Sequence, residues 1–193
     1  MPSSTHYAVL LALVLGVGCE EDAETGTSLP PELPKATSSK LIEDPIVEAA
    51  IRKSLKKPEG KLTNADLKKV TRLNLSENRL TELPKGLEKL TKLRALHLGD
   101  NKLTDVKDLA KLTQLTSLSL NANKLTSVKG LENLTQLEYL ELQKNQLNDV
   151  KGLEKLTQLE YLDLENNPAL TKAQIDELQK ALPKCTIIHN ATK

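Results

Sequence analysis

A motif that recurs at a nearly fixed interval constrains this chain more than any other feature. The copy Leu93-Arg-Ala-Leu96-His-Leu98-Gly-Asp-Asn101-Lys-Leu103 returns in phase at Leu115, Leu137 and Leu159, and a looser copy begins at Val70. The asparagines that close the five copies follow one another at steps of 23, 22, 22 and 22 residues: Asn78, Asn101, Asn123, Asn145 and Asn167. A fixed period in this range indicates a solenoid in which each copy forms one turn.

Two periodicities inside each copy predict a strand followed by a short arm. Leu96-His97-Leu98 alternates apolar and polar residues, as a strand with one buried face does. Val106, Leu109 and Leu112 then recur every three residues, which favours a 3₁₀ or irregular arm over an α-helix. A single turn cannot bury its own leucines, so we expect the turns to stack and their strands to pair in parallel.

The closing asparagine has a predicted structural role. The chain turns sharply at this position, and a side-chain amide offers both donors and an acceptor to the backbone groups that the turn leaves unpaired. Repetition at all five positions predicts a ladder of asparagines along the stack. The one extra residue in the first interval falls within Leu83–Leu87, which predicts a bulge at Pro84.

The repeated residues follow the pattern LxxLxLxxNxL and resemble the 22-residue class of leucine-rich repeats, as in bacterial internalins and phosphatase-regulating repeat proteins. The resemblance covers roughly residues 41–190. It implies an α/β fold: a right-handed solenoid with a concave parallel sheet, convex 3₁₀ or irregular arms, and helical caps at both ends. It also implies that the concave face binds proteins, and that the chain is not an enzyme and needs no cofactor or metal.

Both ends of the repeat region carry helix signals. In residues 41–69, Asp44 can cap a helix that begins at Pro45, and Thr63 with Asp66 resembles a capping box, so this segment is predicted to be an N-terminal helical cap. The five repeats occupy residues 70–170. In residues 171–193, Thr171 and Gln174 form a capping-box pattern before a helix and a last short strand.

The start of the chain resembles a bacterial lipoprotein signal. An apolar run at 8–17, too short to span a membrane permanently, ends in small residues just before Cys19. This predicts a signal peptide at 1–18, lipid on Cys19, and a disordered acidic, proline-containing tether at 19–40. The predicted location is therefore the bacterial cell envelope, with attachment to the membrane through the lipid. A plain secretory signal, and thus a secreted protein, remains an alternative, as does a misread start.

Residues that flank the strand leucines should point outward on the concave face, in columns that run along the stack. Tyrosines and carboxylates collect on the last two repeats, and tyrosine is enriched where proteins bind one another. We therefore predict a contact site for a basic segment of a partner protein, with the alternative that these are ordinary solvated strand faces. The predicted contact residues are His97, Tyr139, Glu141, Gln143, Tyr161, Asp163 and Glu165.

Charge and motif content narrow the classes of function. Residues 20–34 hold five acids and no base, so the remaining 27 basic and 21 acidic residues give 35–193 a net charge of about +6. The lysines that produce this positive excess alternate with acids, and no aromatic side chains for base stacking lie among them. Both features favour a solvated surface over a nucleic-acid or anionic-membrane patch. Adjacent carboxylates on a shallow face are poorly placed for acid–base catalysis, and no small-molecule substrate is predicted. Two other functions stay open: an intracellular regulatory subunit that docks on an enzyme such as a phosphatase, and a structural envelope protein without a discrete ligand.

Overall fold

A six-stranded parallel sheet runs the length of the solenoid. The computed structural model describes residues 40–192. The strands pair in the order of the chain, and they are β1 Arg72–Asn74, β2 Ala95–His97, β3 Ser117–Ser119, β4 Tyr139–Glu141, β5 Tyr161–Asp163 and β6 Thr186–Ile188. The central leucine of each strand is the partner of the next, from Leu73 through to Leu162, which pairs with Ile187. The predicted parallel sheet is confirmed.

The convex side consists of short 3₁₀ arms, which confirms the prediction from the three-residue period. The arms are Leu87–Lys89, Lys107–Lys111, Leu131–Asn133 and Leu153–Lys155. Three of them follow a glycine with φ of about 100°, namely Gly86, Gly130 and Gly152. The second arm has Asp108 where the others have glycine, and it begins two residues earlier and is longer.

The leucines of strands and arms meet in one continuous core. Nearly every repeat leucine is buried, and Tyr139 is the one large hydrophobic side chain with an exposed surface in residues 40–192. Burying one leucine contributes about 1.5–3 kcal/mol, so a stack that fills the same positions in each turn gains stability with every turn. The positions that the repeat motif specifies are thus the ones that hold the fold together.

Four of the five repeated asparagines connect neighbouring turns. Asn123 is representative: its Oδ1 accepts from the Leu103 N–H at 2.9 Å, and its Nδ2 donates to the carbonyls of Leu98 at 3.0 Å and Leu120 at 3.1 Å. The residue just before each closing asparagine has a left-handed backbone, with φ between 51° and 62°: Glu77, Asp100, Ala122, Lys144 and Asn166. This conformation turns the chain out of the strand in every repeat.

Asn78 corrects the prediction of a five-membered ladder. Its side chain is exposed, and its only side-chain hydrogen bond within the described residues goes to the Ser76 carbonyl at 2.9 Å. The physical reason is its position in the stack, because no earlier turn supplies backbone groups to Asn78. Its own N–H instead donates to the Oδ1 of Asn101 at 3.1 Å.

Helices lie at both ends of the stack, in the segments where the sequence predicts them. They are α1 Pro45–Leu55, α2 Asn64–Leu67 and α3 Lys172–Ala181. Asp44 caps α1 by accepting from two backbone N–H groups, and capping boxes begin α2 and α3. The Ser54 hydroxyl at the end of α1 donates to the Arg72 carbonyl at 2.9 Å, so α1 lies against the first strand.

The predicted signal peptide at 1–18, the lipidation site Cys19 and the tether up to residue 39 lie outside the described residues. Among the helices of residues 40–192, none combines the length and the apolar character needed to cross a membrane.

Candidate functional site

The strand register places the predicted contact residues in columns on the concave face. Tyr139 is the direct partner of Tyr161, and Glu141 is the direct partner of Asp163. Each pair lies on adjacent strands of a parallel sheet, which are separated by about 4.8 Å. The structure thus brings six of the seven predicted residues onto two neighbouring strands and the turns that follow them. We call this surface the acidic tyrosine face and define it as Tyr139, Glu141, Gln143, Tyr161, Asp163 and Glu165.

The pKa of Tyr161 reflects both its burial and the negative charge of this surface. Its pKa is raised above the usual value, first by burial and then by the negative charges of Asp163, Glu141 and Glu165. A phenol next to three carboxylates loses its proton less readily, because the phenolate would add a fourth negative charge. The face therefore combines a half-buried aromatic ring with a local excess of negative charge.

Tyr139 is the most accessible member of the acidic tyrosine face. Its side chain is 47% exposed, and its hydroxyl makes a long hydrogen bond of 3.4 Å with Oε2 of Glu160. Glu160 and Glu138 are both exposed and immediately precede the two tyrosines in the chain. Sequence reasoning missed them, although their position one residue before each strand would have indicated the rim of the face.

Asp163 departs from the exposed position predicted for it. Only 8% of its surface is exposed, and its Oδ1 accepts from the Glu165 backbone N–H at 2.9 Å. Asn74 makes the same local bond to the Ser76 N–H at 2.9 Å on the first strand. Asp163 thus stabilises the turn after its strand, and it influences the surface through its charge more than through direct contact.

Gln143 presents an unusual acceptor in the same column as Glu165. Its Oε1 is shielded from solvent and has no hydrogen-bond donor among residues 40–192. A buried polar atom without a partner is costly, so an incoming donor at this point would be stabilised.

The N-terminal half of the concave face carries a hydrogen-bonded network around Asn121, and His97 belongs to this half. The Ser119 hydroxyl donates to Oδ1 of Asn121 at 2.7 Å, and the Asn121 side chain lies over Gly99, where an added Cβ would stand 2.2 Å from Oδ1. His97 is exposed and lies two strands before Glu141. The structure therefore does not bring His97 together with the other six predicted residues.

Neither a metal centre nor a reactive cysteine emerges from the described side chains. Within residues 40–192, no three histidine, cysteine, aspartate or glutamate side chains form a group that could hold a metal ion. Cys185 is buried, and burial raises the pKa of its thiol to about 11, so the thiolate is scarce at neutral pH.

Family models match the repeat region. Residues 68–125 match a model described as leucine rich repeat, and residues 113–154 and 135–180 match a model for two copies of leucine rich repeats. With a stacked parallel sheet and 3₁₀ arms, these matches define the class: the chain is a leucine-rich-repeat protein. Proteins of this class typically take part in protein–protein interactions, and the class is generally non-enzymatic.

Within that class, the chain is similar to bacterial proteins of solved structure. An internalin, InlF, from Listeria monocytogenes is 26% identical with a TM-score of 0.67, and the match covers 79% of this chain and 46% of that one. The Leptospira interrogans LRR protein LIC12759 is 34% identical with a TM-score of 0.58, over 66% of this chain and 33% of that one.

The functional domain of InlJ from Listeria monocytogenes, at 22% identity and a TM-score of 0.58, shares the fold over 79% of this chain and 38% of its own. The chain thus spans less than half the length of these three relatives. No curated protein sequence matches the chain.

Proposed function

We propose that the chain is a non-enzymatic binding module whose acidic tyrosine face takes up a basic segment of a partner protein. The observation that carries the proposal is the pairing of Tyr139 with Tyr161 and of Glu141 with Asp163 on adjacent strands. No other part of the concave face in residues 40–192 combines aromatic rings with an excess of carboxylates.

The chemistry of the face suits arginine or lysine in an extended partner segment. A cation can lie against the exposed ring of Tyr139, an interaction of about 0.5–1 kcal/mol at an exposed site. Glu141 and Glu165 can accept charge-assisted hydrogen bonds from the same segment.

Tyrosine also adds contact area at a low cost in conformational entropy. Four of the six side chains stand on strands held by the core and the other two on the turns that follow directly, so little ordering is required when the partner binds. Rigid strands and a localised charge favour recognition of a short segment over a broad, shape-matched interface.

The binding test uses a peptide array in which otherwise identical peptides carry basic, neutral or acidic residues. We expect retention of the basic peptides, and a loss of at least about tenfold in affinity for the double variant Tyr139→Ala with Tyr161→Ala. The matched control is Arg72→Ala with Ser117→Ala, which changes the same column on the first and third strands. Equal binding of basic and acidic peptides, or equal losses in both variants, refutes the site.

A photo-crosslinking residue at position 139 in intact cells extends the test to native partners, with position 72 as the control. A discrete protein crosslinked from position 139 supports the binding module. Absence of any discrete product from either position favours a structural envelope protein.

The proposed location is the bacterial envelope, with lipid on Cys19. The support is the order of residues at 8–19, where an apolar run and small residues precede a cysteine. We expect labelled palmitate in the native protein and none in Cys19→Ala. Mass spectrometry of the native N-terminus separates the alternatives, since a secretory signal leaves a cleaved but unlipidated chain. An uncleaved start favours an intracellular regulator of an enzyme such as a phosphatase.

A further inference from the structure

Five exposed lysines lie within seventeen residues of the chain at the N-terminal end of the solenoid. They lie at the end of α1, in the loop before α2 and in the turn after α2, and all five side chains are exposed. None of them takes part in an ion pair within residues 40–192. We call them the cap lysines, and they are Lys53, Lys56, Lys61, Lys68 and Lys69.

Two of the three acids between the start of α1 and the first strand pair with other basic groups. Glu48 pairs with Lys40 and with Arg52, and these contacts lower the pKa of its carboxyl group. Asp66 pairs with Lys57 at 2.8 Å and also accepts from the backbone of Thr63. Although acids and lysines alternate in the sequence, Glu48 and Asp66 therefore pair with other basic groups and not with the cap lysines.

Glu59 is the one acid between the start of α1 and the first strand that makes no ion pair in the described structure. This stretch of the chain thus holds five lysines outside ion pairs and a single carboxylate outside ion pairs.

Contacts within the cap hold the segments that carry these lysines against one another. The Lys57 ammonium donates to the Lys61 carbonyl at 3.0 Å and to Asp66 at 2.8 Å, which ties the loop to α2. Ser54 donates to the Arg72 carbonyl, which ties the end of α1 to the strand that follows Lys69. The cap lysines consequently belong to one rigid end of the solenoid.

We propose that the cap lysines bind the N-terminal end of the solenoid to an anionic membrane surface. Lysine is a compact point charge that suits a diffuse negative surface, whereas bidentate recognition of single phosphates favours arginine. Residues 40–69 contain no aromatic side chain for base stacking, which disfavours a nucleic acid. The same segment exposes no large hydrophobic side chain, so the attachment is electrostatic and superficial.

This attachment is independent of the acidic tyrosine face and does not require lipid on Cys19. The two are nonetheless compatible, because the chain that follows Cys19 enters the described structure at Lys40, whose ammonium pairs with Glu48 of α1. A single acyl chain binds membranes only marginally, and a polybasic surface is a common second signal.

The experiment measures the binding of residues 19–193 carrying Cys19→Ser to vesicles, so that neither an acyl chain nor the apolar run at 8–17 contributes. The probes are vesicles of phosphatidylcholine alone and of phosphatidylcholine mixed with phosphatidylglycerol, in low salt. We expect binding to the anionic vesicles only, and a decline as salt rises, because charges near a membrane act within a Debye length. Equal binding to both vesicles, or binding that salt leaves unchanged, overturns the proposal.

The decisive variant replaces Lys61, Lys68 and Lys69 with glutamine. These three residues lie outside α1, so the substitutions leave that helix unchanged. Each lysine near an anionic surface contributes about fivefold, so the triple variant should bind about a hundredfold more weakly. The matched control replaces Lys102, Lys124 and Lys129 of the repeats with glutamine. These lysines are also exposed, so the control removes the same charge from a different part of the surface. A similar loss in both variants shows that net charge alone acts and overturns the proposal.

Two further measurements keep the result interpretable. Replacing the same three cap lysines with arginine retains the charge and should retain vesicle binding, and thermal melting checks that each variant folds. A labelled oligonucleotide that binds more tightly than the vesicles, with the same dependence on the cap lysines, would assign this surface to nucleic acid and overturn the proposal.

Discussion

The first turn and the inner turns contain the same asparagine but use it differently. Asn123 is buried and joins two turns through four hydrogen-bonding groups of the backbone, whereas Asn78 is exposed and bonds only to the nearby Ser76 carbonyl. The motif is identical, so the difference arises from the neighbouring turn. The interior is stabilised by buried hydrogen bonds between turns, whereas the N-terminal end adds partly buried local contacts such as the pair of Lys57 with Asp66.

The largest effect that tests this comparison is expected from Asn123→Leu. The substitution leaves the Leu103 N–H and the carbonyls of Leu98 and Leu120 without their side-chain partner inside the stack. An unpaired buried group costs about 1–3 kcal/mol, so we expect a loss of about 3–5 kcal/mol in the free energy of unfolding. Denaturant titration measures this loss.

The matched variant Asn78→Leu should change the free energy of unfolding by no more than about 0.5 kcal/mol, as exposed substitutions usually do. Comparable losses at both positions would show that the asparagine acts within its own turn and would remove the distinction between the first turn and the interior.

A second effect is expected at the glycines that begin the arms. Gly130 has φ of 99°, and an added Cβ would lie 2.7 Å from the Cα of Lys107 in the preceding turn. Gly86 has φ of 101°, but the nearest atom to its added Cβ is the end of the Ile42 side chain at 3.3 Å. Both substitutions to alanine carry backbone strain, and only the one at Gly130 also meets an immovable backbone.

We therefore expect Gly130→Ala to cost about 2–3 kcal/mol and Gly86→Ala about 1–2 kcal/mol, by thermal or denaturant melting. If Gly86→Ala is the more damaging of the two, the first arm is packed as tightly as the interior, and the comparison fails at this position.

The regular part of the fold could be predicted from the sequence because each repeat position has one environment. Leu96 and Leu98 indicate a buried strand face, and Val106 and Leu109 indicate a 3₁₀ arm, whatever the partner of the protein. The exposed position of Asn78 could not be predicted from its motif, since it depends on the absence of an earlier turn. The left-handed residues of the turns also escaped prediction, because Glu77, Asp100, Ala122, Lys144 and Asn166 share no residue type.

The candidate site was predictable as a set of columns but not in its finer properties. The register of Tyr139 with Tyr161 follows from the repeat period alone. The low exposure of Asp163 does not follow from its position in the repeat, because Asn74 makes the equivalent turn bond on the first strand and is exposed. The sequence predicted lysines that alternate with acids on a solvated surface, whereas at the N-terminal end two of the acids pair with Lys40, Arg52 and Lys57 and leave the cap lysines outside ion pairs.

A third prediction compares the two ends. The Thr171 hydroxyl accepts from the Gln174 N–H, and the Gln174 Nε2 donates to the Asn148 carbonyl of the preceding repeat at 3.0 Å. The capping box at Thr63 has no such link, since its Asp66 pairs with Lys57 within the same cap. We expect Thr171→Ala to cost about 1 kcal/mol, as the loss of an N-cap commonly does.

A double variant separates the stability that the capping box gives to α3 from the stability that the bond to Asn148 of the preceding repeat contributes. The double variant Thr171→Ala with Gln174→Ala should lose more stability than Thr171→Ala alone, because it also removes the bond to the preceding repeat. Equal melting of the single and double variants would show that the link to Asn148 contributes nothing.

The smallest effect concerns acid pH and the N-terminal end. The hydrogen bond from Lys57, followed by those from Thr63, lowers the pKa of Asp66 from 3.8 to about 2. A carboxyl group with a lowered folded pKa stabilises the fold above its unfolded value and loses that contribution as the pH falls through the folded one. Between pH 4 and pH 2, Asp66→Asn should therefore lose less melting temperature than the unmodified chain.

Lys57→Gln, which removes the largest cause, should shift the pH dependence in the same direction, and added salt should weaken it because the pair is only partly buried. The hydrogen bonds of Asn123 contain no titrating group, so Asn123→Leu should lower the melting temperature at every pH and leave its pH dependence unchanged. If Asp66→Asn instead melts in parallel with the unmodified chain down to pH 2, the N-terminal end is stabilised by packing, as the interior is.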